Sequence, residues 1–177
     1  MNPLDIICKY CTNEKQLHIL LVHSRAVADK ALRIARRHPE WRVDELFIEE
    51  AALLHDIGIT YVNAPAIECY GEEPYIRHGI LGAEILRNEG LEHHALVCER
   101  HTGTGLTLQQ IVEQKLPLPQ QDMQPISLEE QIICFADKFF SKTRLDTEKT
   151  VEQARRSLEK FGSKGLEKFD KWCEMFL

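Results

Sequence analysis

Three features of this 177-residue chain predict an all-α fold. Apolar residues recur at helical spacing, alternation of period two is almost absent, and Pro, Gly and Asn punctuate the periodic runs. Pro3 to Tyr10 reads as a short opening helix, closed near Cys11-Thr12-Asn13. A long helix runs from about Glu14 to Arg37 on an apolar stripe of Val27, Ala31 and Ile34. It stops before Pro39, since the residue ahead of a proline is pushed out of helical geometry. Asp44 is the expected N-cap of a helix continuing through Phe47, Ala51 and Leu54 to Asp56, with Gly58 as its stop. Ile59 to Glu73, broken by Asn63, Pro65 and Gly71, reads as a loop.

Pro74 suits the first turn of a helix reaching Asn88, ahead of Gly90. Another helix spans about Leu91 to Thr102, and a short one Leu106 to Gln114, before a stretch holding Pro117, Pro119 and Pro125. Ser127-Leu128-Glu129-Glu130 is a capping box whose helix should reach about Lys142. Two amphipathic helices, about Glu148 to Phe161 and Gly165 to Met175, complete the set and either cover the core or form a dimer surface.

At 44% hydrophobic and 28% charged, the composition is that of an ordinary globular protein, and the length suits one domain over residues 1–177. The formal charge of −6 argues against binding to nucleic acid polymers or anionic membranes. No apolar run approaches the roughly 18–20 residues of a membrane span. Met1-Asn2-Pro3-Leu4-Asp5 lacks the basic start of a secretory signal, so a cytoplasmic location is expected. The six cysteines are dispersed, and Cys8-Lys9-Tyr10-Cys11 has no second half-site to complete a zinc centre.

The informative residues are polar ones on apolar faces. His23 shares the stripe of Val27, Ala31 and Ile34, and His55 follows Ala51 by one helical turn. Asp56 falls at a helix C-terminus, which repels anions. His78 heads a stripe with Leu81, Gly82 and Ile85, and His101 follows Val97 and Cys98. Each alone reads as a core side chain. Asp137 changes that, because Ile133, Ala136 and Phe140 place it in the middle of an apolar face. An unpaired carboxylate there costs several kcal/mol or takes up a proton. Lys138 is adjacent but points elsewhere on an ideal helix, so a cation shared by Asp137 and the inward histidines resolves the conflict. Imidazole and carboxylate without thiolate suit iron, manganese, zinc, cobalt or nickel, magnesium less. Six ligands exceed one tetrahedral ion and can serve two.

In order, His23, His55-Asp56, His78, His101 and Asp137 resemble the H…HD…H…H…D signature of the HD superfamily of metal-dependent phosphohydrolases. The separations are 32 residues from His23 to His55, then 22, 23 and 36 from Asp56 onward. His55-Asp56-Ile57-Gly58 is the HDIG variant, and the resemblance spans about residues 14–142. It implies a helical HD-domain fold in which His23, His55, Asp56 and Asp137 hold a first metal. Asp56 would bridge to a second ion on His78 and His101. The layout is similar to symmetrical dinucleoside tetraphosphate hydrolases, although those tend to carry a lysine near the position of Ile59, where this chain has Ile59-Thr60.

The resemblance also implies hydrolysis of a phosphate ester or anhydride of a small, nucleotide-like substrate by a metal-bound hydroxide held against Asp56. Lys138 and Arg144 are candidates to receive the remaining phosphates; Arg77 and Arg100 are weaker ones. Two alternatives share the scaffold: an HD-type di-iron oxygenase and a non-catalytic nucleotide-binding module.

Overall fold

The computed structural model describes residues 2–177. The fold is helical, as the periodicity predicts. Helix α1 (Pro3–Tyr10) and the long α2 (Glu14–Arg37) are capped by Asn2 and Asn13, whose side chains accept from backbone amides of the first turn. Helix α3 (Glu45–Leu54) starts at the expected Asp44 cap. Helices α4 (His78–Asn88) and α5 (Glu92–Arg100) pack side by side, and α6 (Leu108–Glu113) follows. Ser127 and Glu130 form the predicted capping box of α7 (Leu128–Asp137). Helices α8 (Val151–Ser157) and α9 (Ser163–Phe176) complete the described residues.

Three departures from the sequence expectation matter for the site. Helix α3 ends at Leu54, so His55 and Asp56 lie just past its last turn, ahead of a 3-10 turn over Ile57–Tyr61. The expected loop after it contains a small sheet of β1 (Val62–Ala64), β2 (Cys69–Tyr70) and β3 (Glu73–Pro74). Strand β1 lies in the middle, antiparallel to β2 with Ala64 opposite Cys69, and parallel to β3 with Val62 opposite Glu73. Strands of two or three residues are too short to display alternation. Finally, α7 stops at Asp137, five residues early. There the hydrogen bonds shorten to a three-residue step, with the amides of Lys138, Phe139 and Phe140 donating to the carbonyls of Phe135, Ala136 and Asp137. The tail is likewise divided earlier than expected: α8 ends at Ser157, a 3-10 turn covers Glu159–Phe161, and α9 begins at Ser163.

The larger core lies where α2, α3 and α7 meet, and α9 covers it. The fully buried Phe135 ring lies 5.0 Å from Phe139, 5.4 Å from Phe169 and 5.2 Å from Phe176, measured between centroids. A second core gathers Leu54, Ile57 and Ile59 with Ala83, Leu86 and Cys98. Among the described residues no helix is long and apolar enough to cross a membrane, and all six cysteines are free thiols.

Gly58 is not the helix stop the sequence suggested; its function is close approach. A Cβ there would meet the carbonyl oxygen of His78 at 2.0 Å and the amide nitrogen of Gly82 at 2.4 Å. Gly82 faces it, and a Cβ on Gly82 would meet the Gly58 amide at 3.1 Å and the Cys98 thiol at 3.2 Å. Backbone contacts this tight fix α4 against the turn that carries Asp56. Gly58→Ala should therefore lower the free energy of unfolding by about 1–3 kcal/mol or more, and Gly82→Ala by less, measured by urea denaturation. Equal, negligible losses would show that α4 is free to move.

Candidate metal centre

Six side chains from five segments of the chain converge. His23 comes from the middle of α2, His55 and Asp56 from just past α3, His78 from the first turn of α4, His101 from the residue after α5, and Asp137 from the last residue of α7. Local backbone chemistry aims three of the rings. The Nδ1 atoms of His55, His78 and His101 donate to the carbonyls of Ala52, Tyr75 and Cys98, at 2.6, 2.7 and 2.7 Å. In each case the acceptor lies three residues upstream. These local bonds fix the tautomer so that Nε2 presents a lone pair, and the Tyr75 carbonyl accepts the His78 amide as well.

Those lone pairs face other acceptors. His78 Nε2 and His101 Nε2 stand 3.0 Å apart, and lie 3.5 and 3.4 Å from Asp56 Oδ1. On the other side of the same carboxylate, Asp56 Oδ2 is 3.1 Å from His23 Nε2 and 3.0 Å from His55 Nε2. Asp137 Oδ1 lies 3.0 Å from His23 Nε2 and 3.4 Å from His55 Nε2. The atoms form two clusters, His23-His55-Asp56-Asp137 and Asp56-His78-His101, each within 4.8 Å throughout and joined by Asp56. Buried acceptors aimed at acceptors are unstable unless something positive lies between them. His55 Nε2 and Asp56 Oδ1 indeed lack a hydrogen-bond partner. The donor set therefore fits divalent ions of the imidazole-carboxylate type.

Without a metal, positive charge has to come from protons and lysines. Burial opposes a charge on His55, yet Asp56 and Asp137 lift its pKa to about 9. Burial and the neighbouring His101 push His78 down to about 3. Burial alone would raise both acids; instead Lys142 and His55 hold Asp56, and Lys138 with His23 hold Asp137, well below the usual carboxylate range.

The two lysines correct the sequence reading. Lys138 was expected to point away from Asp137, but its ammonium lies 2.7 Å from Asp137 Oδ2 and donates to the His101 carbonyl at 2.8 Å. Lys138 itself keeps helical backbone angles (φ −63°, ψ −20°), and its long flexible stem spans the offset between neighbours. Lys142, which the sequence reading left out, reaches 2.6 Å from Asp56 Oδ2 and donates to the Tyr75 hydroxyl at 3.2 Å. Its only signal was a position five residues after Asp137. Arg144 is exposed and stands outside the lining of the cavity. Arg100 is committed to Glu130 at 3.0 Å, and Arg77 to Glu73 at 2.9 Å. A cavity of about 470 Å³ opens from His78, His101 and Asp137 and is walled further out by Lys138, Lys142 and Phe161.

Comparison with known proteins agrees with this geometry. The HD domain family model matches residues 20–141. An uncharacterised protein of Methanocaldococcus jannaschii is 33% identical over 159 residues, covering 89% of this chain and 85% of that one. A tRNA (cytidine(56)-2'-O)-methyltransferase of Thermoplasma volcanium is 32% identical over 93% of this chain but only 41% of its own length. Among solved structures, the HD domain of the L. monocytogenes phosphodiesterase PgpH, in complex with cyclic-di-AMP, superposes with a TM-score of 0.55. That match has 16% identity and covers 97% of this chain and 94% of that one, which establishes a shared fold. With the matched region containing all six converging side chains, the chain belongs to the HD-domain family of metal-dependent phosphohydrolases.

Proposed function

We propose that this protein hydrolyses a phosphate ester or anhydride of a small, nucleotide-like molecule at a pair of divalent transition-metal ions. One observation carries the reading: each oxygen of the buried Asp56 faces its own set of imidazoles, so that one carboxylate serves two clusters. His23, His55, Asp56 and Asp137 would hold one ion, and Asp56, His78 and His101 the other. Such ions acidify water and neutralise the oxygens of a phosphoryl group under attack.

The chain's own residues orient and shield. The carbonyls of Ala52, Tyr75 and Cys98 hold three imidazoles in the ligating tautomer. Lys138, fixed between Asp137 and the His101 carbonyl, keeps Asp137 ionised at the cavity wall. Lys142 and Tyr75 stand at the entrance beside Asp56, where an ammonium can meet a phosphoryl oxygen. A cavity of about 470 Å³ accommodates a nucleotide-sized ligand, and the same fold in the L. monocytogenes domain takes cyclic-di-AMP. Arg144, exposed and away from the cavity, is assigned no phosphate contact here.

Asp56→Ala should reduce metal-dependent phosphate release by about a thousandfold or more, while circular dichroism shows the helices retained. Full activity in that variant would refute the mechanism.

Proton and metal compete at His55, with a definite sign. Its folded pKa of about 9 exceeds the ordinary 6.5, so the stability it contributes is complete below about pH 6.5 and is lost as pH rises through 9. A bound metal takes the proton's place. The melting temperature of the chelator-treated chain should thus fall between pH 6.5 and 9, and the stabilisation by added manganese should widen over the same range. A gap that narrows with pH would contradict it.

A further inference from the structure

Part of the cavity wall lies beyond the catalytic assignment. It comes from the chain after residue 141, where the match to the HD domain ends. Four lysines line this one cavity: Lys138, Lys142, Lys149 and Lys160. The first two are matched by Asp137 and Asp56, at 2.7 and 2.6 Å. The other two are not. Lys149 Nζ reaches the carbonyl of Lys138 at 3.4 Å, Lys160 Nζ lies 5.1 Å from the centroid of the Phe161 ring, and neither pairs with a carboxylate among the described residues. Burial lowers the pKa of Lys149, and the like charges of Lys138, Lys142 and Lys160 add to that effect against the pull of Asp137. A chain of net charge −6 thus concentrates unmatched cations on one cavity wall. Mutual repulsion of this kind is relieved by an anion.

The same cavity wall also carries the apolar side chains Ile67, Phe140, Leu158 and Phe161. The Lys149 amide donates to the Phe139 carbonyl at 2.8 Å, pinning the segment after α7 back onto the end of that helix. Thr150 then caps α8 with Gln153, and the 3-10 turn Glu159–Phe161 brings Lys160 to the cavity wall.

We propose that Lys149 and Lys160 form a second anion subsite, and that the substrate carries a second phosphoryl group besides the scissile one. The assignment of the scissile end rests on the phosphohydrolase reading above; the subsite itself does not. It also gives the segment beyond the family match a function: it selects bis-phosphorylated molecules over monophosphorylated ones.

Linear alkane bisphosphonates of increasing linker length, compared with methylphosphonate, test this without turnover, because their carbon–phosphorus bonds are not cleaved. Calorimetry on the manganese-loaded chain should find at least one bisphosphonate binding about tenfold more tightly than methylphosphonate. In Lys149→Gln/Lys160→Gln that ratio should fall towards one, and Lys149→Arg/Lys160→Arg should keep it. The exposed Lys160→Gln alone provides the same readout, a reduced ratio, if the double variant melts early. A ratio near one in the parent chain, or a ratio that survives the glutamines, overturns the proposal. Failure to release phosphate from any ester or anhydride would refute the hydrolase reading while leaving the ratio intact, so the two ideas fail separately.

Discussion

Asp56 is fully buried, and both of its oxygens face nitrogen atoms that are themselves acceptors. A low-dielectric interior punishes such an arrangement unless positive charge is supplied at the same place. The rest of the structure is organised around that demand. Helix α2 passes alongside to bring His23, α7 ends where Asp137 can join, and two lysines from the segment after α7 fold back over the carboxylates. The glycine pair Gly58 and Gly82 lets α4 approach closely enough for His78 to reach the same carboxylate.

Helix termini do most of the aiming. Three of the four histidines donate to the carbonyl three residues before them, at or near a helix end or 3-10 turn. A backbone carbonyl holds one ring nitrogen, and the ring's other nitrogen is left pointing inward. The placement is rigid because it rests on backbone, not on another rotatable side chain. His23 differs: it lies in mid-helix, its Nδ1 has no partner, and its orientation depends on the two carboxylates it faces.

Parts of this were legible without coordinates, and the rest were not for physical reasons. Capping by Asn13, Asp44 and Ser127 is encoded within three residues, so the starts of α2, α3 and α7 could be read directly. The end of α7 could not, since Phe139 and Phe140 continue the apolar pattern while the backbone has already tightened. Beyond that early stop the chain departs from the α-helical path, and Lys142 reaches Asp56. The β1–β3 sheet was hidden because its strands are too short to show a period. The cap of α8 was available in Thr150 and Gln153, two residues after the expected start at Glu148.

From the amino-acid order alone came the helical class, the six polar residues out of place on apolar faces, and the identity of the ligand chemistry, because buried carboxylates and imidazoles carry a cost that local structure cannot relieve. What only the tertiary structure decided is which atoms share which partner. The division of Asp56 between two clusters, the pairing of Lys138 and Lys142 with the acids, the exclusion of Arg144 and the lysine-lined cavity wall all depend on contacts between residues distant in the chain. Periodicity reports the face on which a side chain sits; it carries no record of what the fold brings opposite.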